Sequence, residues 1–171
     1  YLSGKSLAAP FAIQLIVEGI GTIGADELEA AVERASAACP GARLVRWGDN
    51  WVDNGLTPHV EVVDGLDIDR SDPNTNRFFE RPLGGHAAAT TEVVLLRGER
   101  PAVVFRAFHG VMDATGLKTW AADVFRVLRG EQPVGAPDTT ADHTLVERLG
   151  RSGEATRLLP TFSSPLGRGV P

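Results

Sequence analysis

Between residues 90 and 128 the spacing of apolar positions changes from the period of a strand to that of a helix. Residues 90–96 and 102–108 are rich in strand formers, and the polar Arg97-Gly98-Glu99-Arg100 between them predicts an antiparallel hairpin. The second run, Ala102-Val-Val-Phe-Arg-Ala-Phe108, carries one charge, Arg106, and so predicts a strand buried on both faces. Leu117, Trp120, Ala121, Val124, Phe125 and Leu128 then recur at i, i+3, i+4, i+7, i+8 and i+11. That is the stripe of a helix packed on a core, over 117–128, and Gly130 ends it.

The earlier part of the chain repeats this alternation of elements without internal repeats. Residues 11–18 predict a strand with Phe11, Ile13, Leu15 and Val17 toward a core and Gln14 and Glu18 outward. Residues 26–38 predict a helix with Leu28, Ala31, Val32 and Ala35 on one face and Pro40-Gly41 as its stop. Shorter strands follow at 44–47 and 59–63, separated by the turn-rich Gly48-Asp49-Asn50 and Asp53-Asn54-Gly55. Trp47 and Trp51 read as packing residues. Residues 67–80 form a long polar loop leading to Pro82, and residues 131–171 have the Pro, Gly, Ser and Thr content of a connector around one short helix at 144–149. The expected class is α/β, in the mixed α+β sense, with a mixed sheet flanked by helices.

Composition narrows the function classes. Hydrophobic residues make up 43% and charged residues 23% of the 171, ordinary globular usage with enough chain for one core. The single cysteine, Cys39, rules out an internal disulfide and fits a reducing, cytoplasmic setting. A formal net charge of −5 argues against nucleic acid as a partner. No apolar stretch reaches the roughly 18 to 20 residues that span a bilayer, so no membrane role is expected.

The candidate chemistry sits where the buried strand turns into the helix, at His109-Gly-Val-Met-Asp113. Histidine changes charge near neutrality and can accept a proton from a nucleophile, and the N–H groups of the following helix point back toward the motif, where they could stabilise an oxyanion. Two other readings of the same residues stand beside this one. His109 continues the odd-numbered face of Val103, Phe105 and Ala107 as a core histidine, with Asp113 only the helix N-cap; or both are metal ligands on one helical face, which needs partners the chain does not obviously supply. His86 reads as a loop or strand-entry residue, and His59 and His143 as surface residues.

A second motif points elsewhere. Gly19-Ile-Gly21-Thr-Ile-Gly24 matches G-x-G-x-x-G between a strand and a helix, with Asp49 near the distance of a ribose-binding acid. The alternating strand before it and the lack of further βαβ units favour a plain strand-to-helix turn.

The stretch Phe105-Arg-Ala-Phe-His109-Gly-Val-Met-Asp113-Ala-Thr-Gly116 resembles the HHxxxDG motif of nonribosomal peptide synthetase condensation domains and the broader chloramphenicol-acetyltransferase-like acyltransferases. Cys39-Pro-Gly-Ala-Arg43-Leu is similar to the hPxLR turn of that superfamily, and Pro82-Leu83 to the PL ahead of its active-site hairpin. The likeness runs over residues 1–135 in the family's order. Phe108 stands in place of the first His, and Ala114 in place of the Gly after the Asp, with Gly116 two residues on.

The resemblance implies a chloramphenicol-acetyltransferase-like N-terminal lobe over 1–135 and a connector toward a second lobe over 136–171. That second lobe would be missing, removed or supplied by another chain, since the downstream DFGWG-like motif is absent. It implies His109 as catalytic base or positioning group, Asp113 as architectural support of the kind an Arg usually holds, and Ala114 and Gly116 as backbone contacts at the site. The reaction implied joins an acyl group to an amine or hydroxyl. No cofactor would be permanently bound; the donor would be a phosphopantetheine thioester on an acyl or peptidyl carrier protein, or acyl coenzyme A. A non-catalytic lobe that docks carrier proteins is the alternative.

Overall fold

The computed structural model describes residues 12–48, 50–64, 81–85 and 87–137, together with Thr144 and Glu147. The chain divides into units 1–139 and 140–171. In the first, the element order is β1 (Ala12–Glu18), α1 (Ala25–Ala38), a 3₁₀ turn (Pro40–Arg43), β2 (Leu44–Trp47), β3 (Asn50–Asp53), β4 (His59–Asp64), β5 (Thr91–Arg97), β6 (Ala102–Phe108) and α2 (Ala114–Leu128).

Four strands form one sheet in the order β1-β6-β5-β4. β6 runs antiparallel to β1 and to β5, whereas β4 runs parallel to β5, so the sheet is mixed, as expected. The predicted hairpin is present, with Leu96 opposite Ala102 across the turn. β2 and β3 make a separate two-stranded ribbon. β3 is the one element the hydrophobic pattern does not reveal: Asn50 and Asp53 at its ends read as turn residues, and all four of its positions are exposed, so burial left no alternation in the sequence.

The periods translate into faces. Val93, Leu95, Val103, Phe105 and Ala107 meet Leu28, Val32, Leu117, Trp120 and Val124 of the two helices. Phe105 meets the edges of Trp120 and Phe125 at centroid distances of 5.5 and 5.9 Å. The buried indole N–H of Trp120 donates to Ser36 Oγ at 3.0 Å, which ties α2 to α1 and satisfies both polar atoms. Ile13, Leu15 and Val17 of β1 pack on this core while Gln14 and Glu18 are exposed, as expected; Phe11 lies outside the described residues.

All seven residues of β6 are buried, Arg106 completely. Arg106 belongs to the opposite face, with Ala102 and Val104, and its position is explained by register: Glu92 is its Cα partner on β5. The Arg106 guanidinium pairs with the Glu92 carboxylate and donates to the Arg81 carbonyl at 2.8 Å. Arg81 in turn bridges Glu92 at 3.3 Å and Glu61 of β4 at 2.5 Å. A charge inside a sheet is tolerable only when paired in this way.

After α2 the chain is clasped back onto the helices. The buried Asp123 carboxylate accepts the N–H groups of Val134 and Gly135 at 2.9 and 2.7 Å, and Ala136 N–H donates to the Ala38 carbonyl. Gly135 has φ +79°, and a Cβ there would lie 2.7 Å from the Ala38 oxygen, so this crossing requires glycine. The stretch read as the start of a loose connector is therefore fixed as far as Ala136. Cys39 lies beside it, buried, and burial pushes its thiol pKa up.

Arg106 yields a stability prediction. Removing one partner of a buried pair leaves the other uncompensated, so Arg106→Ala should lower unfolding free energy by about 3 kcal/mol or more, and Arg106→Met combined with Glu92→Gln should lose less. Urea unfolding of the variants measures this; an Arg106→Ala protein as stable as the parent contradicts it.

Candidate active site

β6 ends one residue before the motif. Phe108 is its last residue, and its N–H donates to the Thr90 carbonyl at 2.7 Å. The Phe108 ring is buried between two glycines. A Cβ on Gly84 would lie 2.7 Å from Phe108 Cγ, and one on Gly110 would clash with the ring edge more severely. Gly84, at φ +78°, follows Pro82-Leu83, and its N–H donates to the Ala89 carbonyl. Trp51 of β3 packs on the same ring, centroids 5.5 Å apart and planes inclined 42°.

The ribbon that carries Trp51 is attached to the main sheet by threonines. Thr90 Oγ1 donates to the Leu44 carbonyl and Thr91 Oγ1 to the Ala42 carbonyl, both at 2.5 Å. Ala87 N–H donates to the Arg46 carbonyl, and Val45 bridges Ala89. Trp51 packs on Phe108, as a packing residue should, yet stays 38% exposed, and Trp47 is 65% exposed.

His109 stands in the turn after β6 and is exposed. The core-histidine reading is thereby corrected: the odd-numbered face of the strand does not extend to 109, because the chain turns at Phe108, whose carbonyl accepts the Val111 N–H at 3.1 Å. Met112 returns to the core and anchors the turn from within.

Asp113 is the N-cap of α2, extended at φ −89° and ψ 179°, and its Oδ1 accepts the Gly116 N–H at 2.7 Å. The helix begins at Ala114, three residues before the first member of the apolar stripe. Ala114 is exposed, and the only positive-φ non-glycine among the described residues is Ala87, so alanine at 114 carries no backbone strain. At Gly116 a Cβ would stand 3.0 Å from Met112 Cγ; the glycine gives the cap room over the buried methionine. Its N–H donates to the Asp113 carboxylate, so its backbone makes its contact within the motif itself.

No arginine pairs with Asp113 among the described residues; Arg43, in the turn that resembles hPxLR, pairs with Asp53 at 2.6 Å. His59 is exposed on β4, as expected, while His86 and His143 lie outside the described residues, as do Asp49 and the 67–80 loop. Among the described residues no three His, Cys, Asp or Glu side chains could hold a metal ion, and no helix is long and apolar enough to cross a membrane.

The glycine motif at 19–24 is not a dinucleotide turn. The strand before it is an antiparallel edge strand, and Glu27 in the first turn of α1 faces the Gly24 N–H at 3.4 Å, so a carboxylate occupies the place a pyrophosphate would take. A cleft of about 230 Å³ lies beside this loop, lined by Val17, Ile20, Ile23, Leu95, Val103 and Phe125, at the opposite end of β6 from His109.

The glycines at 84 and 110 and the half-exposed Trp51 are the site features that the sequence pattern does not expose; the run Gly84-Gly85 before His86 and the glycine directly after His109 are the signals that mark them. Gly110→Ala should push the Phe108 ring from its seat and lower stability by about 1–3 kcal/mol. Thermal unfolding and the Trp fluorescence of the variant measure this, and unchanged values contradict the seat.

No protein-family model matches the sequence, and no curated protein matches it. Solved structures do. The X-domain from teicoplanin biosynthesis aligns at 13% identity and TM-score 0.67, over 85% of this chain and 35% of that one. The condensation domain from the monacolin K polyketide synthase MokA aligns at 16% and 0.63, over 82% and 34%. The SgcC5 protein from Streptomyces globisporus aligns at 21% and 0.57, over 84% and 36%. The chain thus spans about a third of the length of these structures, and over that span it has the fold of condensation domains.

Proposed function

We propose that this lobe serves acyl transfer of the condensation type, as in nonribosomal peptide or polyketide synthesis, with His109 as the base or positioning group for the acceptor. The observation that carries the reading is the place of His109: an exposed imidazole held at the end of a fully buried strand, directly before a capped helix, in a chain with the condensation-domain fold. A neutral imidazole there takes the proton from an amine or hydroxyl as it attacks the thioester carbonyl. The new C–N or C–O bond forms, the C–S bond breaks, and the proton passes to the departing thiolate.

Asp113 supports this geometry from the helix side. Its carboxylate fixes the first turn of α2 through Gly116, which sets the direction in which the 109–112 turn leaves the strand. The donor is an acyl group on phosphopantetheine of a carrier protein or on coenzyme A, and a second lobe supplies the other wall. Residues 1–135 form the lobe and residues 136–171 the connector. The alternative reading is a non-catalytic lobe that docks carrier proteins.

His109→Ala decides between the two. In the protein with both walls of the site present, acyl transfer from a carrier-bound donor should fall by at least about 10²-fold with an unchanged melting temperature. Wild-type turnover in that variant favours the docking lobe.

A further inference from the structure

Arg106 and Phe108 stand two residues apart on β6, so strand alternation puts both on the side of the sheet away from the helices. Residues 81–84 meet that side at both positions. At one end, the Arg106 guanidinium pairs with Glu92 and donates to the Arg81 carbonyl at 2.8 Å. The Arg81 side chain bridges Glu92 and Glu61, which ties the same residue to β5 and β4. At the other end, the Gly84 N–H donates to the Ala89 carbonyl at 2.9 Å, and a Cβ on Gly84 would lie 2.7 Å from Phe108 Cγ. The same ring closes on Gly110, where a Cβ would clash with it. His109 is the one residue between Phe108 and Gly110, so the strap, the ring and the turn that carries the imidazole are in continuous contact.

We infer that Arg106 is a positioning residue for His109: its guanidinium pins the 81–84 strap, and the strap, through the Phe108 ring, fixes the 109–110 turn. This rests on the reading of His109 as the acyl-transfer group and adds what holds that group in place. Stability alone does not call for the buried charge, because an apolar pair of similar volume at 92 and 106 would serve the sheet about as well. What such a pair lacks is a donor aimed at the Arg81 carbonyl. The guanidinium supplies two diverging nitrogens, one for Glu92 and one for that carbonyl. Lysine keeps the charge opposite Glu92 but ends in a single ammonium on a shorter side chain.

The experiment follows the imidazole carbon–hydrogen NMR signals of His109 in the full 171-residue chain, identified by their loss in His109→Ala. They should shift in Arg106→Lys, and also in Gly84→Ala, which displaces the strap from its other end without touching a charge. Two controls should leave them in place. Trp120→Phe loosens the core by removing the indole N–H bond to Ser36, and Arg97→Lys changes an exposed arginine at the far end of the hairpin. In the protein with both walls of the site, Arg106→Lys should lower kcat by about 10- to 10²-fold with KM changed by less than about twofold, the pattern of a displaced reacting group.

His109 signals unmoved in folded Arg106→Lys overturn the inference, and so does an equal shift in Trp120→Phe, which would mean general loosening. Gly84→Ala carries the test if Arg106→Lys does not fold. Failure of the positioning role is distinguishable from failure of the acyl-transfer reading. Unmoved signals with His109-dependent transfer intact sink the positioning role alone, whereas shifted signals with wild-type transfer in His109→Ala sink the acyl-transfer reading alone.

Discussion

The structure depends on burying β6 from both sides. It is the only strand of the main sheet with all seven positions buried among the described residues, and its two faces solve different problems. One face offers Val103, Phe105 and Ala107 to the helices and gains the ordinary stabilisation of apolar burial. The other includes Arg106, whose charge is admissible only because antiparallel register puts Glu92 directly opposite and Arg81 beside it. Specifying that register specifies everything downstream, since a slip of one residue would exchange Phe105 for Arg106 in the helix-facing core.

What the strand delivers is a fixed point of exit. Phe108 is gripped by Gly84 and Gly110 and covered by Trp51, so the chain leaves the sheet at one place and His109 follows at the surface. On the far side of the turn, Met112 plugs into the core and Asp113 caps α2, so both ends of the four-residue turn are anchored. The backbone that carries His109 is thus fixed on both sides of the turn.

Much of this was legible in the sequence because it is local. The nearly continuous apolar run at 102–108, the stripe from Leu117 to Leu128 and the polar turn between β5 and β6 each signal their element without reference to distant residues. The pairing of β4 parallel to β5 and the Glu92 partner of Arg106 were not legible, because they follow from register between segments far apart in the chain. Asp113 was readable as an N-cap from its place before the helix. The exposure of His109 was not, since alternation continues through it on paper and only the Phe108 to Val111 hydrogen bond shows the strand has ended. Trp51 packs, as its apolar character suggests, but its partner, Phe108 at the end of β6, is far away in the chain and no local pattern names it.

We propose His109, directly after β6, as the base or positioning group of acyl transfer. Diethyl pyrocarbonate modification tests it directly, because the chain has four histidines and peptide mass mapping resolves each of them. Loss of acyl transfer, in the protein with both walls of the site, should track modification of His109 one for one, and a thioester substrate should protect both together. Full transfer by protein whose His109 is completely modified would contradict it.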